Sequence, residues 1–299
     1  MRKNYYLENR DNCDGFPAFF LFFEAICYYI HSCINIECGY SVKITILQTA
    51  VKEKDPAANH QQALDDLSKA PAADLLLLPE LFISGYSSSS ITSTALQCKE
   101  LTESYRRLAK TKQTAILAGS LAYQEEGKIY NRAQFIDSRG EIAAHYDKIH
   151  LFRLLDEDKY FAAGSSPVYL DYLGWRIGII TCYDLRFPEL TRLLALAGCN
   201  LLLIPAAWPH NRISVFQQLA IARAIENQLW VVGVNRASQP DKITYGGNSL
   251  IIAPDGEIIK QAGIYPETIS AEIDLQRVIE YRKNIPCYDD RRTDVYKLE

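Results

Sequence analysis

Along residues 42–299, short apolar runs alternate with longer amphipathic stretches, and the connections between them are brief. That rhythm predicts an α/β domain. Lys43–Ala50 alternates as a strand does, and Asp55–Lys69 reads as a polar helix with Asp55 as N-cap and Pro56 in its first turn. The run from Leu75 to Leu78 is wholly apolar, as a strand covered on both faces should be. One long helix is expected over Thr94–Thr111, then a strand over Ala115–Gly119. Tyr130–Ser138 and Glu141–Asp147 read as a hairpin about Ser138-Arg139-Gly140. The second half repeats the pattern. Strands are expected at Arg176–Thr181, Asn200–Ile204, Leu229–Asn235 and Thr268–Ile273, with helices at Pro188–Ala197 and Ser214–Gln228 and a hairpin about Pro254-Asp255-Gly256. No linker-like stretch interrupts residues 42–299, which read as one domain.

The first 41 residues do not share this rhythm. Residues 16–36 are apolar and about as long as a bilayer crossing, but Glu24 lies inside them and no signal-peptide pattern accompanies them. They are read as translated upstream sequence, with the domain expected to begin at Val42. A membrane or interface anchor is the competing reading.

Composition narrows the class. The chain is 48% hydrophobic and 23% charged with a net charge of -4, which suits a globular protein and supplies no basic footprint for nucleic acid. Its eight cysteines are dispersed without a C-x-x-C pair, as expected of reduced thiols in the cytoplasm. No H-E-x-x-H or H-x-x-x-H pattern suggests a metal.

Catalytic groups of α/β proteins gather at the carboxyl ends of strands, and three unusual residues fall there. Glu80 ends the apolar run at Pro79, Lys148 ends a hairpin strand, and Cys182 ends the strand Gly178-Ile179-Ile180-Thr181 just before a helix. A thiol so placed is expected to be drawn towards thiolate by the helix dipole and its free N–H groups. A histidine base for Cys182 is the alternative, although none of His31, His60, His145, His150 and His210 is favoured by its setting. A buried structural cysteine is the bland reading of Cys182, as it is of Cys98 and Cys199.

Three segments, LLLLPELFISGY, YDKIHLF and TCYDLRFPEL, together resemble the carbon–nitrogen hydrolase (nitrilase) superfamily, and so do the flanks LLIPAAWP, ARAIENQ and GGNSLIIAPDGEII. The resemblance spans essentially all of residues 42–299 and implies a four-layer αββα sandwich that usually forms dimers. It implies a Glu80–Lys148–Cys182 triad, a second glutamate at Glu157, and the Tyr183 backbone N–H as an oxyanion donor. No metal or organic cofactor is implied. HLFRLLDEDKYFAAG and the C-terminal region look most like the omega-amidase branch, which points to a small-molecule amide substrate. Nitriles and N-carbamoyl compounds are the alternative substrates, and a catalytically idle scaffold of the same fold is the non-enzymatic one. One departure is Val215-Phe216, where relatives often carry His-Trp. A substrate carboxylate would need a cation, for which Arg186, Arg212 and Lys159 are candidates. Arg186 could instead pair with Asp184 or Glu189, and Arg223 with Glu226 reads as a structural pair.

Overall fold

The computed structural model describes residues 41–239 and 244–296, so the upstream-sequence and anchor readings of residues 1–40 lie outside the described residues. In chain order the elements are β1 (Ser41–Gln48), α1 (Pro56–Lys69), β2 (Leu75–Leu77), α2 (Ser88–Leu96), α3 (Cys98–Lys112), β3 (Ala115–Leu117), β4 (Leu121–Glu125), β5 (Lys128–Ile136) and β6 (Ile142–Asp147). There follow α4 (Glu157–Tyr160), β7 (Val168–Tyr172), β8 (Trp175–Ile179), α5 (Pro188–Leu196), β9 (Leu201–Ala206), α6 (Ile213–Asn227), β10 (Trp230–Asn235), β11 (Leu250–Ile252), β12 (Ile258–Gln261), β13 (Glu267–Asp274) and α7 (Leu275–Asn284).

The strands form two sheets. One has the order β13-β1-β2-β3-β5-β4, with β6 also paired to β5; the other runs β12-β11-β10-β9-β8-β7. Their inner faces share one apolar core, to which Ile44, Leu75, Leu77 and Phe135 contribute from the first sheet and Trp175, Ile177, Leu203 and Val232 from the second. Helices α1 and α3 cover the outer face of the first sheet, where Leu67, Leu101 and Tyr105 meet Leu47, Leu76 and Leu78. Helices α5 and α6 cover the second, where Leu194, Phe216 and Ala220 meet Leu202, Ile204 and Val231. The result is the expected αββα sandwich. It also explains why the Leu75–Leu78 run has no polar member: Leu75 and Leu77 enter one core while Leu76 and Leu78 enter another.

The local signals hold where chemistry fixes them. Asp55 caps α1 by accepting from the Ala58 N–H at 3.1 Å. Two expectations need correction. The long helix is two helices, because Gln97 takes φ −105° and ψ 6° and turns the chain between α2 and α3. Ile91, Ala95, Cys98, Leu101 and Tyr105 keep a helical spacing of buried positions across that turn, which is why the sequence reads as continuous. Strands β4 and β7 are additions to the elements the pattern predicts. In β7 only Leu170 is buried, so this edge strand offers almost no alternation to read. Among the described residues, no helix is long and apolar enough to cross a membrane.

The fold delivers its site through close backbone contacts. Gly119, just past β3, has φ +39°, and a Cβ there would lie 2.0 Å from the Pro79 carbonyl oxygen and 2.7 Å from that of Leu78. Ser120 continues the brace, donating its N–H to Pro79 O and accepting the Leu81 N–H on its hydroxyl. Gly127 is a useful contrast, with φ +76° but nothing within 4 Å of where a methyl group would stand. Both Gly→Ala changes carry the left-handed penalty of about 1–2 kcal/mol, but only Gly119→Ala adds a backbone clash. Thermal melts should therefore show a clearly larger drop for Gly119→Ala than for Gly127→Ala. Equal drops would mean that the Pro79 segment yields without cost.

Candidate active site

Three strand ends meet. Glu80 follows β2 and is wholly buried; its N–H donates across to the Ala206 carbonyl of β9 at 3.4 Å, so it joins one sheet to the other. Lys148 follows β6, with its N–H on Asn131 O at 3.0 Å and its carbonyl receiving the Gly164 N–H at 2.9 Å. Cys182 opens a five-residue 3₁₀ turn after β8 and sits at φ +49°, an uncommon conformation for a side-chain-bearing residue. Such strain, held by its surroundings, is a frequent mark of a functional position.

The Lys148 ammonium is fully buried and lies 2.8 Å from Glu80 Oε1 and 2.9 Å from the Glu157 carboxylate. Asn131 Nδ2 donates to the same Glu80 oxygen at 2.9 Å and to Glu157 Oε1 at 3.3 Å. Glu157 Oε2 accepts the Phe152 N–H at 2.6 Å. Glu80 Oε2 is buried without a hydrogen-bond partner among the described residues, which leaves one carboxylate oxygen open.

Electrostatics follow from this packing. Burial would depress the Lys148 ammonium, but Glu80 and Glu157 outweigh it and hold it above its ordinary value. Burial pushes the Glu157 carboxyl up, Lys148 opposes that, and Glu80 adds to it; the balance stays upward. Burial and the Glu80 carboxylate push the Cys182 thiol well above its usual range, against Lys148 and the Ala207 N–H. The expectation of a thiol drawn towards thiolate is corrected here. Burial beside a carboxylate outweighs the dipole of a short turn. No histidine hydrogen-bonds Cys182 among the described residues. His150, the nearest in sequence to Lys148, is bound to Asp184 and stacked flat on Phe187.

Known proteins share this sequence and fold. Residues 43–283 match the sequence profile of the carbon–nitrogen hydrolase family. The chain belongs to that family. It is 38% identical over 256 residues to the 2-oxoglutaramate amidase of Bacillus subtilis, covering 85% of this chain and 98% of that one. It is also 38% identical over 260 residues to the omega-amidase YafV of Escherichia coli K12, covering 86% and 98%. Among solved structures it is similar to a point mutant of the amidase from Nesterenkonia sp. AN1, with TM-score 0.74 and 26% identity, covering 87% of this chain and 96% of that one. In that structure the acetamide moiety of fluoroacetamide is added covalently to the active-site cysteine.

In this hydrolase Cys182 opens onto a pocket of about 310 Å³ walled by Tyr86, Phe152, Tyr183, Trp208 and Tyr245, with Arg186 and Arg212 also lining it. Glu157 is the buried member of its acidic trio, while Asp156 and Asp158 are exposed. Tyr183 lies in the pocket wall, directly after Cys182. Arg186 makes no salt bridge with a described residue. Its guanidinium lies 4.8 Å from the Trp208 ring centre instead of pairing with Asp184 or Glu189. Lys159 is outside the pocket, exposed and paired with Asp156 at 3.0 Å. Arg223 pairs with Glu226 at 2.9 Å as expected, and its second nitrogen also donates to Leu185 O, which steadies the turn after Cys182. Neither Val215 nor Phe216 lines the pocket; Phe216 packs behind Trp208 with ring centres 5.8 Å apart.

Sequence reasoning missed Asn131, Tyr86 and Tyr245. Asn131 lies mid-strand among polar and apolar neighbours, and only the pairing of β5 with β6 brings it to Lys148. Its importance is open to test. Asn131→Asp would set a third carboxyl against two that share one ammonium, whereas Asn131→Ala only removes a donor. The new carboxyl would be raised in the folded state, so its stabilising contribution is present at low pH and lost as pH rises. Denaturant melts should therefore show Asn131→Asp less stable than Asn131→Ala at pH 8, by about 1–3 kcal/mol, with the gap narrowing towards pH 5. A gap independent of pH would show that Asn131 does not face both carboxylates.

Proposed function

We propose that this enzyme hydrolyses the terminal amide of a short dicarboxylic-acid or 2-oxo-acid monoamide, releasing ammonia through a thioester on Cys182. The names of its relatives support the amide class. The observation that carries the substrate reading is the pocket itself: two guanidiniums, Arg186 and Arg212, stand beside Cys182 without a carboxylate partner among the described residues. A substrate bearing a free carboxylate beyond its amide would supply that partner.

The chemistry assigned to each residue follows from its setting. Glu80 takes the Cys182 proton on its open oxygen, and the sulfur attacks the amide carbon. The oxygen that gains charge is met by the Lys148 ammonium and by the Tyr183 N–H, which lies in the first turn where N–H groups lack partners within the turn. Glu80 returns the proton to the departing nitrogen, so ammonia leaves and an acyl-thioester remains. Water then attacks the thioester as Glu80 accepts its proton; the acid is released and the thiol restored. Glu157 is assigned to holding Lys148 and not to proton transfer, because both of its oxygens are engaged.

We also place the whole activity in residues 42–299 and read the active form as a cytoplasmic homodimer. Leu193, Leu196 and Ile225, exposed on the outward helices α5 and α6, support that association. Sedimentation analysis is its check.

The substrate test is a panel of amide, nitrile and N-carbamoyl compounds assayed for ammonia. Short ω-amides with a free carboxylate should have the highest kcat/KM; preference for a nitrile or a carbamoyl compound would overturn the reading. Cys182→Ala should abolish turnover while Cys199→Ala, buried behind α5, leaves it largely intact. Lys148→Arg should lower kcat by about a hundredfold or more, nearly as far as Lys148→Ala, because a planar fork crowds the oxyanion. Arg186→Met should raise KM for a carboxylate-bearing amide about tenfold or more and leave a neutral amide unaffected. An equal effect on both substrates would remove Arg186 from carboxylate binding.

A further inference from the structure

Asp184 is fully buried two residues beyond Cys182, and no cation with a fixed charge stands beside it among the described residues. Its carboxylate instead accepts four hydrogen bonds. Oδ1 receives the His150 N–H at 2.9 Å and His150 Nδ1 at 2.7 Å; Oδ2 receives the Tyr146 hydroxyl at 2.7 Å and the Thr181 N–H at 2.9 Å. Three of these donors come from the two residues that flank Lys148, at positions −2 and +2. The fourth comes from the residue before Cys182. The Tyr146 hydroxyl also accepts the Ile149 N–H at 3.3 Å, which closes a hydrogen-bonded bracket around the Lys148 backbone.

We propose that Asp184 is a positioning residue whose buried carboxylate fixes Lys148 relative to Cys182. The inference rests on the reading above in which those two residues carry the reaction. Asp184 itself is not a base for the thiol, because its oxygens are already taken up by four donors. The need for such a bracket lies in the charge balance around Lys148. Glu80 and Glu157 both draw the ammonium, and neither bond fixes where its backbone stands against the nucleophile. The bracket does so by covalent proximity: one carboxylate, on the turn that carries the sulfur, holds the chain on both sides of the lysine. His150 is locked further by lying flat on Phe187, with ring centres 3.6 Å apart and planes 7° from parallel, and Phe187 follows the same turn.

Tyr146→Phe is the discriminating variant. It deletes the bonds to Asp184 and Ile149 and keeps the buried ring. The oxyanion contact exists only as the reaction proceeds, so loosening Lys148 should lower kcat and spare KM. A displacement of the order of 1 Å costs up to about a hundredfold in rate, and the expected fall in kcat is about tenfold or more with KM within about twofold. Tyr105→Phe is the structural control. Tyr105 is equally buried, and its hydroxyl, the only group the variant removes, meets His60 Nδ1 at 2.8 Å in the outer helical layer. Tyr105→Phe should lower the melting temperature without changing kcat. Asp184→Asn, whose NH₂ must face two donors in either orientation, should show the same kcat loss more severely and is read beside its melting temperature. A Tyr146→Phe enzyme with kcat within twofold of the parent would overturn the inference. So would losses of kcat that follow melting temperature alike in both tyrosine variants. Turnover surviving in Cys182→Ala would instead defeat the underlying reading, which keeps the two failures distinct.

Discussion

An ammonium with no exposure to water persists only where carboxylates stand beside it, and Lys148 has two. Much of the site answers to that requirement. Glu80 arrives from β2 of one sheet, and its N–H reaches Ala206 of the other, so the pair's carboxylate is tied to both sheets. Glu157 must be swung inwards at the start of a four-residue helix, and the Phe152 N–H holds it there. Removing one partner from such a cluster leaves a buried charge uncompensated, at a cost of about 3–5 kcal/mol. The same burial, with the Glu80 carboxylate beside it, raises the Cys182 thiol against the pull of Lys148.

The dry surroundings that make the cluster costly also strengthen every charge interaction within it. In a site closed to bulk water, a fixed ammonium and a free backbone N–H interact with developing charge far more strongly than the same groups would in solution. Tyrosines, Phe152 and Trp208 give the pocket beside Cys182 a largely aromatic wall. Arg186 and Arg212 supply the only guanidiniums among the described residues of that wall. Positive charge is thus divided between Lys148, which stands between its own carboxylates, and a pair with no carboxylate partner among the described residues.

Much of this was legible in the sequence because Glu80 and Cys182 each follow a strand whose apolar run announces it, whereas Lys148 ends the largely exposed β6. Leu75–Leu78 before Glu80 and Gly178–Ile180 before Cys182 are such runs, and Asp55 and Pro56 marked the first helix by local chemistry alone. What could not be read depends on pairing between distant segments. Asn131 and Tyr146 look like ordinary strand residues until β5 and β6 pair, and Asp184 looks like a surface acid of a turn until four donors converge on it. The break at Gln97 was hidden because the buried positions keep their period across it. The direction in which the Cys182 thiol is pushed is hidden for a related reason. Sequence shows the turn that would lower a thiol, but not the burial and the Glu80 carboxylate that raise it. Arg186 was clarified in the other direction: Asp184 is already saturated by other donors, and the guanidinium lies over Trp208 instead.

In the proposed reaction Cys182 forms the covalent bond to the acyl group. Rapid acid quenching of the enzyme during turnover of a short ω-amide, followed by peptide mass analysis, reads that bond directly. The Cys182 peptide should carry an adduct equal to the substrate mass less ammonia, lost on treatment with hydroxylamine. An enzyme that turns over its amide with no adduct on Cys182, or with the adduct on Cys199 or Cys98, would contradict it.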